Sequence, residues 1–317
     1  MHYACREAAG LGGEVRQGAP LLVSIALFSL LPAVGASRAD ATPPPAIAMP
    51  ARPPESPSGT QFAKRTDGWP DAERQRAAVE EIERGNLPQF SRRFLPIELR
   101  YEPAGHEAIS ATIWVMPDYL AIGGDDDFLY APLNWPSATE IARRFGCVVP
   151  TRRMVDAIYA QAAHLAPQPM PAGPQMRSNA YFERHQALID AQRAAIPLGT
   201  LISGHKKDVV LSERLFGRPD RIAIYGWHRL DGRPIQPLST VHGVRYADNS
   251  HGVRLVWGEV SIDGARRSIT DVLSDRELAP VLSDEGAIRD PRALLDPARA
   301  AAAAASTAVA VPPLAAN

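Results

Sequence analysis

Hydrophobic and polar residues follow a helical period in much of the first half of the chain. The run Asp71–Glu83 comes directly after a proline, places its few apolar residues on one stripe and is followed by the helix stop Gly85-Asn86. Three further helices are predicted, one from the capping box Ser137–Glu140 to Gly146, one opened by Thr151, and one over residues 181–194. His185 lies on the inner side of the last of these helices and is interpreted as a structural histidine.

Short strands are predicted at two places in the first half of the chain and throughout the segment after Pro197. Residues 97–101 and 108–116 are rich in β-branched and aromatic side chains, and after Pro197 similar runs occur at 200–203, 208–212, 221–227, 241–246 and 253–262. Asp263-Gly264 predicts a hairpin turn, and a short helix is predicted near 275–281. This order of elements predicts an α+β fold, with N-terminal helices packed on a C-terminal, mostly antiparallel sheet.

The ends of the chain differ in composition from its centre. Residues 1–39 resemble a secretory signal peptide, because an apolar run from Ala19 to Gly35 precedes a stretch of small residues. The Pro-rich segment 40–67 is predicted to be an extended linker, 68–288 a single α+β domain, and 289–317 a disordered Ala-rich tail. We therefore expect a secreted or periplasmic protein with no stable membrane span after cleavage.

Composition narrows the choice of partners. The formal net charge of the 317-residue chain is −1, so no overall field favours binding to nucleic acid. Cleavage of the signal peptide would remove Cys5 and leave Cys147 without a partner for a disulfide. The exported domain must then be stabilised by its core.

Candidate chemistry concentrates between Gly204 and Arg254, which holds half of the eight histidines. Histidine is the side chain best suited to acid–base work near neutral pH and is the commonest zinc ligand. The predicted catalytic residues are His205, His228, His242, Asp248 and His251, with Asp248 orienting one imidazole. The predicted substrate-binding residues are Lys206 and Arg254 for anionic groups, and Trp227 and Tyr246 for stacking on a sugar.

His242 and His251 are expected on facing strands of a hairpin, and their glycine neighbours allow close approach of a ligand. Zn²⁺ held by three of the imidazoles is an alternative, although no pair has the spacing of a metalloprotease helix. Cys147, near a predicted helix start, is an alternative nucleophile or a buried structural residue. The turn Asp125–Asp127 is a secondary cation-site candidate or a solvated turn.

The run Ser250-His251-Gly252-Val253-Arg254-Leu255 resembles the SHGCxR signature of YkuD-type L,D-transpeptidases, and His242-Gly243 resembles their upstream His-Gly element. The resemblance implies an exported enzyme that crosslinks peptidoglycan through a cysteine thioester. Val253 stands where that family has its nucleophilic cysteine, so ordinary transpeptidation is not implied. A longer run, from the GHKKDVV segment to the LSDEG segment, resembles uncharacterised exported bacterial proteins.

These features predict an exported hydrolase or group transferase that acts on a cell-envelope or extracellular polymer through a histidine-rich site. The alternative is a non-catalytic module that binds peptidoglycan or another glycan. The enzyme requires converging imidazoles in a polar site, whereas the binding module requires a shallow aromatic and basic face.

Overall fold

Two larger sheets, two strand pairs and eight α-helices form the part of the chain that the computed structural model describes, residues 47–296 and residue 298. The fold is α+β. The helices are α1 (Gly59–Arg65), α2 (Asp71–Glu83), α3 (Trp135–Arg144), α4 (Arg152–Gln161), α5 (Asn179–Arg193), α6 (Ile269–Ser274), α7 (Ala279–Leu282) and α8 (Pro291–Leu294). Short 3₁₀ helices span Gln89–Arg92, Pro174–Arg177 and Glu213–Leu215.

The strands are short and distributed along the whole described chain. They are β1 (Leu95–Tyr101), β2 (Ile109–Val115), β3 (Ala121–Gly123), β4 (Phe128–Tyr130), β5 (Cys147–Val148), β6 (Ala163–His164), β7 (Ile202–Ser203), β8 (Lys207–Val209), β9 (Ile224–His228), β10 (Pro234–Ser239), β11 (His251–Gly252), β12 (Val256–Trp257), β13 (Glu259–Ile262) and β14 (Ala265–Ser268).

The larger sheet is antiparallel throughout. Its order is β14-β13-β2-β12-β5, and β1 pairs with the other edge of β2. The central strand β2 comes from the first half of the chain, so N-terminal and C-terminal segments share this sheet. Asp263 and Gly264 both have positive φ, +48° and +86°, and form the predicted hairpin turn between β13 and β14.

The smaller sheet carries most of the candidate chemistry. Its order is β10-β9-β8-β11, with antiparallel pairing except between β8 and β11, which are parallel. His251 lies opposite Lys207, and Gly252 lies opposite Asp208. This pairing joins the end of the candidate stretch, at His251 and Gly252, to β8 near the beginning of the stretch.

Local sequence explains where the helices begin and end. α2 has the predicted bounds, with acidic residues in its first turn, and Gly85 reverses the chain after it with φ of +89°. Thr151 caps α4, since its hydroxyl accepts a hydrogen bond from the Met154 N–H at 3.2 Å. α3 starts earlier than predicted, because Asn134, rather than Ser137, provides the cap.

The hydrophobic core lies between the helices and the sheets. Ile82 of α2, Ile113 of β2, Ile141 of α3 and Met154 of α4 are fully buried in one continuous cluster. Because the cluster also includes C-terminal residues such as Leu282, the described residues share one main core.

The ordered body extends beyond the predicted limits 68–288. The predicted linker 40–67 contains α1, whose Ser58 and Gln61 form a capping box and whose Phe62 is buried. At the other end, α8 lies inside the predicted tail and buries Leu294. The proline-rich and alanine-rich composition of these regions gave no indication of α1 and α8. Both short helices are stabilised by burying an apolar side chain in the folded protein. The predicted signal peptide, and the tail beyond 298, lie outside the described residues.

The predicted strand at 241–246 is wrong. These residues form turns with only an isolated bridge at Gly243, so His242 and His251 are not on a hairpin. His251 pairs with β8 instead. Among the described helices, none combines the length and the apolar character needed to cross a membrane.

Candidate functional site

Parallel pairing of β11 with β8 creates the candidate site. A Cβ atom at Gly252 would lie 2.6 Å from Cδ1 of Tyr119 and 2.8 Å from Cβ of Lys206, so only glycine permits this close approach. Gly252 is therefore needed for β11 to pair with β8, and this pairing determines the position of the His251 ring.

His242, Tyr246, Asp248 and His251 lie together, and we call them the imidazole cluster. The rings of His242 and Tyr246 stack with centroids 4.2 Å apart, and the His251 ring lies 6.1 Å and 5.6 Å from them. His242 and Tyr246 are partly exposed, whereas His251 is fully buried. The cluster thus has an accessible side and a buried side.

Asp248 is the charged member of the cluster. Its carboxylate accepts hydrogen bonds from the Tyr246 hydroxyl at 2.9 Å and from the backbone N–H and hydroxyl of Ser250 at 2.8 Å and 2.5 Å. Burial raises its pKa, but the nearby His251 and the Ser250 hydrogen bonds outweigh burial and hold the pKa at about 2. Asp248 is therefore ionised at neutral pH. It does not orient an imidazole through a hydrogen bond, contrary to the prediction.

The His251 ring is unusual, because neither of its nitrogens has a hydrogen-bond partner among the described residues. Burial, together with the positive Lys207, lowers its pKa to about 4, against the opposing influence of Asp248. Burial and Lys207 also lower the pKa of His242. His251 is consequently neutral at pH 7, with one free donor and one free acceptor. Burying such groups is costly unless something hydrogen-bonds to them.

Tyr246 joins the accessible and buried sides of the cluster. Burial and the charge of Asp248 raise its pKa to about 12, so its hydroxyl stays protonated and acts as a donor. The Arg177 guanidinium carbon lies 5.6 Å from the centroid of the Tyr246 ring. Because the His242 imidazole is stacked on the Tyr246 ring and the Arg177 guanidinium lies near it, both groups compete with a sugar for contact with this ring.

His185 of α5 is connected to the residues around the site through Lys206. The Lys206 ammonium donates to the carbonyl of Asn249 at 2.7 Å and lies 3.2 Å from Nδ1 of His185. Burial lowers the pKa of Lys206 to about 7, and burial and Lys206 lower the pKa of His185 to about 2. Nε2 of His185 and Oδ1 of Asn249 are buried with no partner among the described residues. Sequence patterns carry no signal for this contact, because α5 meets the sheet only in the folded protein.

Trp227 is mostly buried and holds the strand in place rather than offering an open stacking surface. Its indole N–H donates to the carbonyl of His205 at 3.1 Å, and the Lys207 ammonium lies 5.0 Å from its ring centroid. Its φ of +55° is rare for a large residue and marks local backbone strain. Lys207 lies opposite His251 in the strand pairing, and its positive charge contributes to lowering the pKa of both His251 and His242.

His205 belongs to a separate buried network around Asp118. Nε2 of His205 lies 3.2 Å from Oδ1 of Asp118, whose other oxygen accepts hydrogen bonds from Arg193 at 3.1 Å and Tyr130 at 2.7 Å. Burial raises the pKa of Asp118, but the hydrogen bond from His205 and the nearby cations lower it below its ordinary value. Both oxygens of this buried carboxylate have hydrogen-bond partners, unlike the nitrogens of His251, so we interpret the network as structural.

His228 and Arg254 also lie apart from the imidazole cluster. The His228 ring stacks on Tyr159 at 4.5 Å, and its Nε2 lies 3.1 Å from Oδ1 of Asp156. Arg254 is fully buried and donates to the carbonyls of Met116 at 2.6 Å and Ile202 at 2.7 Å. The predicted convergence of four imidazoles is therefore corrected to two, His242 and His251. Their β-sheet neighbours point the other rings into different parts of the core.

The secondary candidates have structural partners. Asp127 accepts hydrogen bonds from the Ser58 hydroxyl at 2.5 Å and the Thr60 N–H at 3.0 Å, and so fixes the start of α1. Within residues 47–296, no group of three or more His, Cys, Asp or Glu side chains is placed to hold a metal ion. Zn²⁺ binding stays a prediction without a positioned ligand set in this range.

Cys147 is buried in β5, and its thiol lies 3.5 Å from the carbonyl oxygen of Phe145. Burial raises its pKa far above the ordinary value, which disfavours the nucleophilic thiolate. In a Cys5→Ser background, we expect native Cys147 to react with a disulfide reagent at pH 8 at least about 100-fold more slowly than a free cysteine. Absorbance of the released thiol measures the rate. Unfolding in guanidinium should restore fast reaction, and rapid labelling of the native protein would contradict the assignment.

Comparisons of the chain with protein-family models, curated proteins and solved structures found no match. The resemblance to YkuD-type L,D-transpeptidases stays a prediction. Val253, which stands at the position of that family's cysteine, is fully buried, and its carbonyl accepts a hydrogen bond from the Leu120 N–H at 2.8 Å.

Proposed function

We propose that the protein is an exported hydrolase or group transferase whose reaction takes place at the imidazole cluster, and that its substrate is a cell-envelope or extracellular polymer. The observation that carries the proposal is the His251 ring, which is buried and neutral at pH 7 and whose two nitrogens have no hydrogen-bond partner among the described residues. The histidines that we interpret as structural differ from His251 in their hydrogen bonding. His205 and His228 each have a carboxylate partner within 3.2 Å.

We infer that His251 acts as a general base on a substrate that enters from the side of the partly exposed His242 and Tyr246, because its own ring is fully buried. In hydrolysis, the oxygen of a water molecule forms a bond to the electrophilic carbon of the substrate, and His251 takes one proton from that water. The bond between the carbon and the leaving group then breaks, and the imidazolium returns the proton to the leaving group. Asp248 is ionised and close enough to lower the energy of the imidazolium. In group transfer, a substrate hydroxyl or amine takes the place of water.

His242, Tyr246 and Lys207 support this role from the accessible side. The Tyr246 hydroxyl is a protonated donor at neutral pH, and Lys207 supplies positive charge for a developing oxyanion. His242 is stacked on Tyr246 and partly exposed, so it is the first imidazole that a substrate meets. Lys206 is occupied by Asn249 and His185, which leaves it a positioning role.

The proposal is tested by incubating purified protein with isolated peptidoglycan sacculi and with soluble polysaccharides, followed by mass spectrometry of released or newly joined fragments. We expect products from the wild-type protein and a drop of about tenfold or more for His242→Ala, because a positioned side chain at a catalytic site contributes at least this much. His106→Ala is the control, since His106 is exposed and distant in sequence from the cluster.

A binding module would give a different result. It would retain the polymer in a pull-down while leaving its mass spectrum unchanged. Chemical change at equal rates with wild-type and His242→Ala protein would reject the imidazole cluster as the site.

A further inference from the structure

A groove runs between α2 and α3 and approaches the imidazole cluster at one end. Its volume is about 620 Å³, within the range of ligand-binding clefts. Gln75 of α2 fixes the near end, where its side chain accepts from the Asn134 N–H at 3.1 Å and donates to the Pro132 carbonyl at 2.8 Å. At the far end, Glu83 of α2 lies close enough to Glu140 of α3 for its charge, after burial, to raise the pKa of Glu140. The two helices therefore run side by side along the groove.

The near end of the groove is basic. Arg177 and Arg245 line it, and Arg177 also lies over the ring of Tyr246, which connects the groove to the imidazole cluster. Arg177 is paired with Asp71. Arg245 is exposed and, within the described chain, makes no ion pair or side-chain hydrogen bond. One uncompensated guanidinium thus stands beside the candidate catalytic residues.

The far end is acidic, and the middle is neutral. Glu83 and Glu140 line the far end, and no described residue forms an ion pair with either within 4 Å. Between the ends, Arg76 and Glu80 pair with each other at 3.9 Å. α2 is thirteen residues long, and seven of them line one wall of the groove. From its first to its last residue the helix spans roughly 18 Å at the helical rise. An extended peptide of about five residues has the same length.

We propose that this groove binds an extended peptide of about five residues, with its free carboxylate at Arg245 and Arg177 and its free ammonium group at Glu83 and Glu140. The inference rests on the proposed function, for which it names the substrate class: a free peptide that is released from an envelope polymer or joined to it, rather than the glycan. Charge complementarity at both ends fixes the direction of the peptide. The carboxyl-terminal residue lies next to His242 and Tyr246.

Calorimetric titration with penta-alanine at pH 6.5 and low salt tests the groove without requiring turnover. Both peptide termini are charged at this pH. Three further probes are N-acetyl penta-alanine, penta-alanine amide and the doubly blocked peptide. We expect blocking either end to weaken binding about tenfold, since hydrogen bonds to charged groups are the strong ones. Arg245→Gln should abolish the effect of the carboxyl-terminal amide alone, and Glu140→Gln should reduce the effect of N-acetylation alone.

Matched controls are Arg276→Gln and Glu277→Gln, two exposed residues outside the groove. Equal affinity for all four peptides, no binding at millimolar penta-alanine, or unchanged end preferences in the groove variants would each overturn the proposal. Peptide binding with the expected end preferences but without chemical change of any polymer would support the groove and reject the proposed reaction. Turnover of a polymer at a rate that does not depend on the charges at the peptide ends would support the reaction and reject the groove as the binding site.

Discussion

Replacing His251 with glutamine is expected to lower the rate of fragment release or transfer by about 10²–10⁴-fold, the contribution typical of a general base. Glutamine is neutral and polar but cannot take a proton near neutral pH. Wild-type activity should also fall as the pH drops through about 4, because protonated His251 no longer accepts a proton. The measurement is the initial rate of product formation between pH 3.5 and 8.

Protein stability provides a second readout for His251. The pKa is about 4 in the folded protein and about 6.5 in an unfolded chain. The unfolded state therefore binds more protons between these values, and the contribution of neutral His251 to stability is present above pH 6.5 and is lost as the pH falls toward 4. Over this interval wild-type protein should lose about 3 kcal/mol more than His251→Gln.

Comparison of the two proteins is essential, because other buried groups titrate in the same interval. Burial raises the pKa of Asp208 to about 6, which acts in the opposite direction. Guanidinium unfolding followed by tryptophan fluorescence at several pH values gives the difference. Identical pH dependence of stability in the two proteins would show that His251 has a polar partner in the folded state, and unchanged activity would remove it from the reaction.

Replacing Asp118 with alanine is expected to lower the free energy of unfolding by about 3–5 kcal/mol, the cost of leaving a buried partner charge without compensation. Arg193 would lose the carboxylate that its guanidinium contacts at 3.1 Å, and the buried His205 and Tyr130 would each lose a hydrogen bond. Side-chain exposure is 1% for Asp118 and 9% for Arg193, so water cannot replace these contacts.

Asp231→Ala is the matched control, because Asp231 forms an ion pair with Arg233 at 2.7 Å on the surface. We expect no measurable change in unfolding for this variant, since exposed pairs contribute little. Asp118→Asn separates charge from packing and should also destabilise the protein. Equal denaturant midpoints for Asp118→Ala and Asp231→Ala would contradict the structural role of the buried network.

Local patterns were sufficient for many of the secondary structure elements. The bounds of α2, the Thr151 cap of α4 and the Asp263-Gly264 hairpin all depend on residues a few positions apart, so sequence predicted them correctly. The α+β class followed from the same short-range evidence. The predicted linker failed at α1, because seven residues of low apolar content form a stable helix only when Phe62 is buried in the fold.

The candidate site shows where short-range evidence ends. Glycine neighbours and clustered histidines directed attention to His242 and His251, whose rings do lie near each other, yet the predicted hairpin between them is absent. Their meeting depends on Gly252 admitting β11 beside β8, a contact with residues far away in the sequence. In the folded protein His205 contacts Asp118 and His228 stacks on Tyr159 instead of joining the site. His185 of α5 contacts Lys206, and the spacing of residues in the sequence did not indicate this contact.

Amino-acid order alone thus specified the fold class, several helix ends and the stretch where ionisable side chains accumulate, because these depend on backbone preferences and on composition. Only folding in three dimensions selected which imidazoles share a site and which have a carboxylate partner. The physical reason is that burial and charge at a side chain are set by neighbours from distant strands and helices. The pKa of His251 near 4 and the enclosed Asp118 carboxylate both arise from such neighbours.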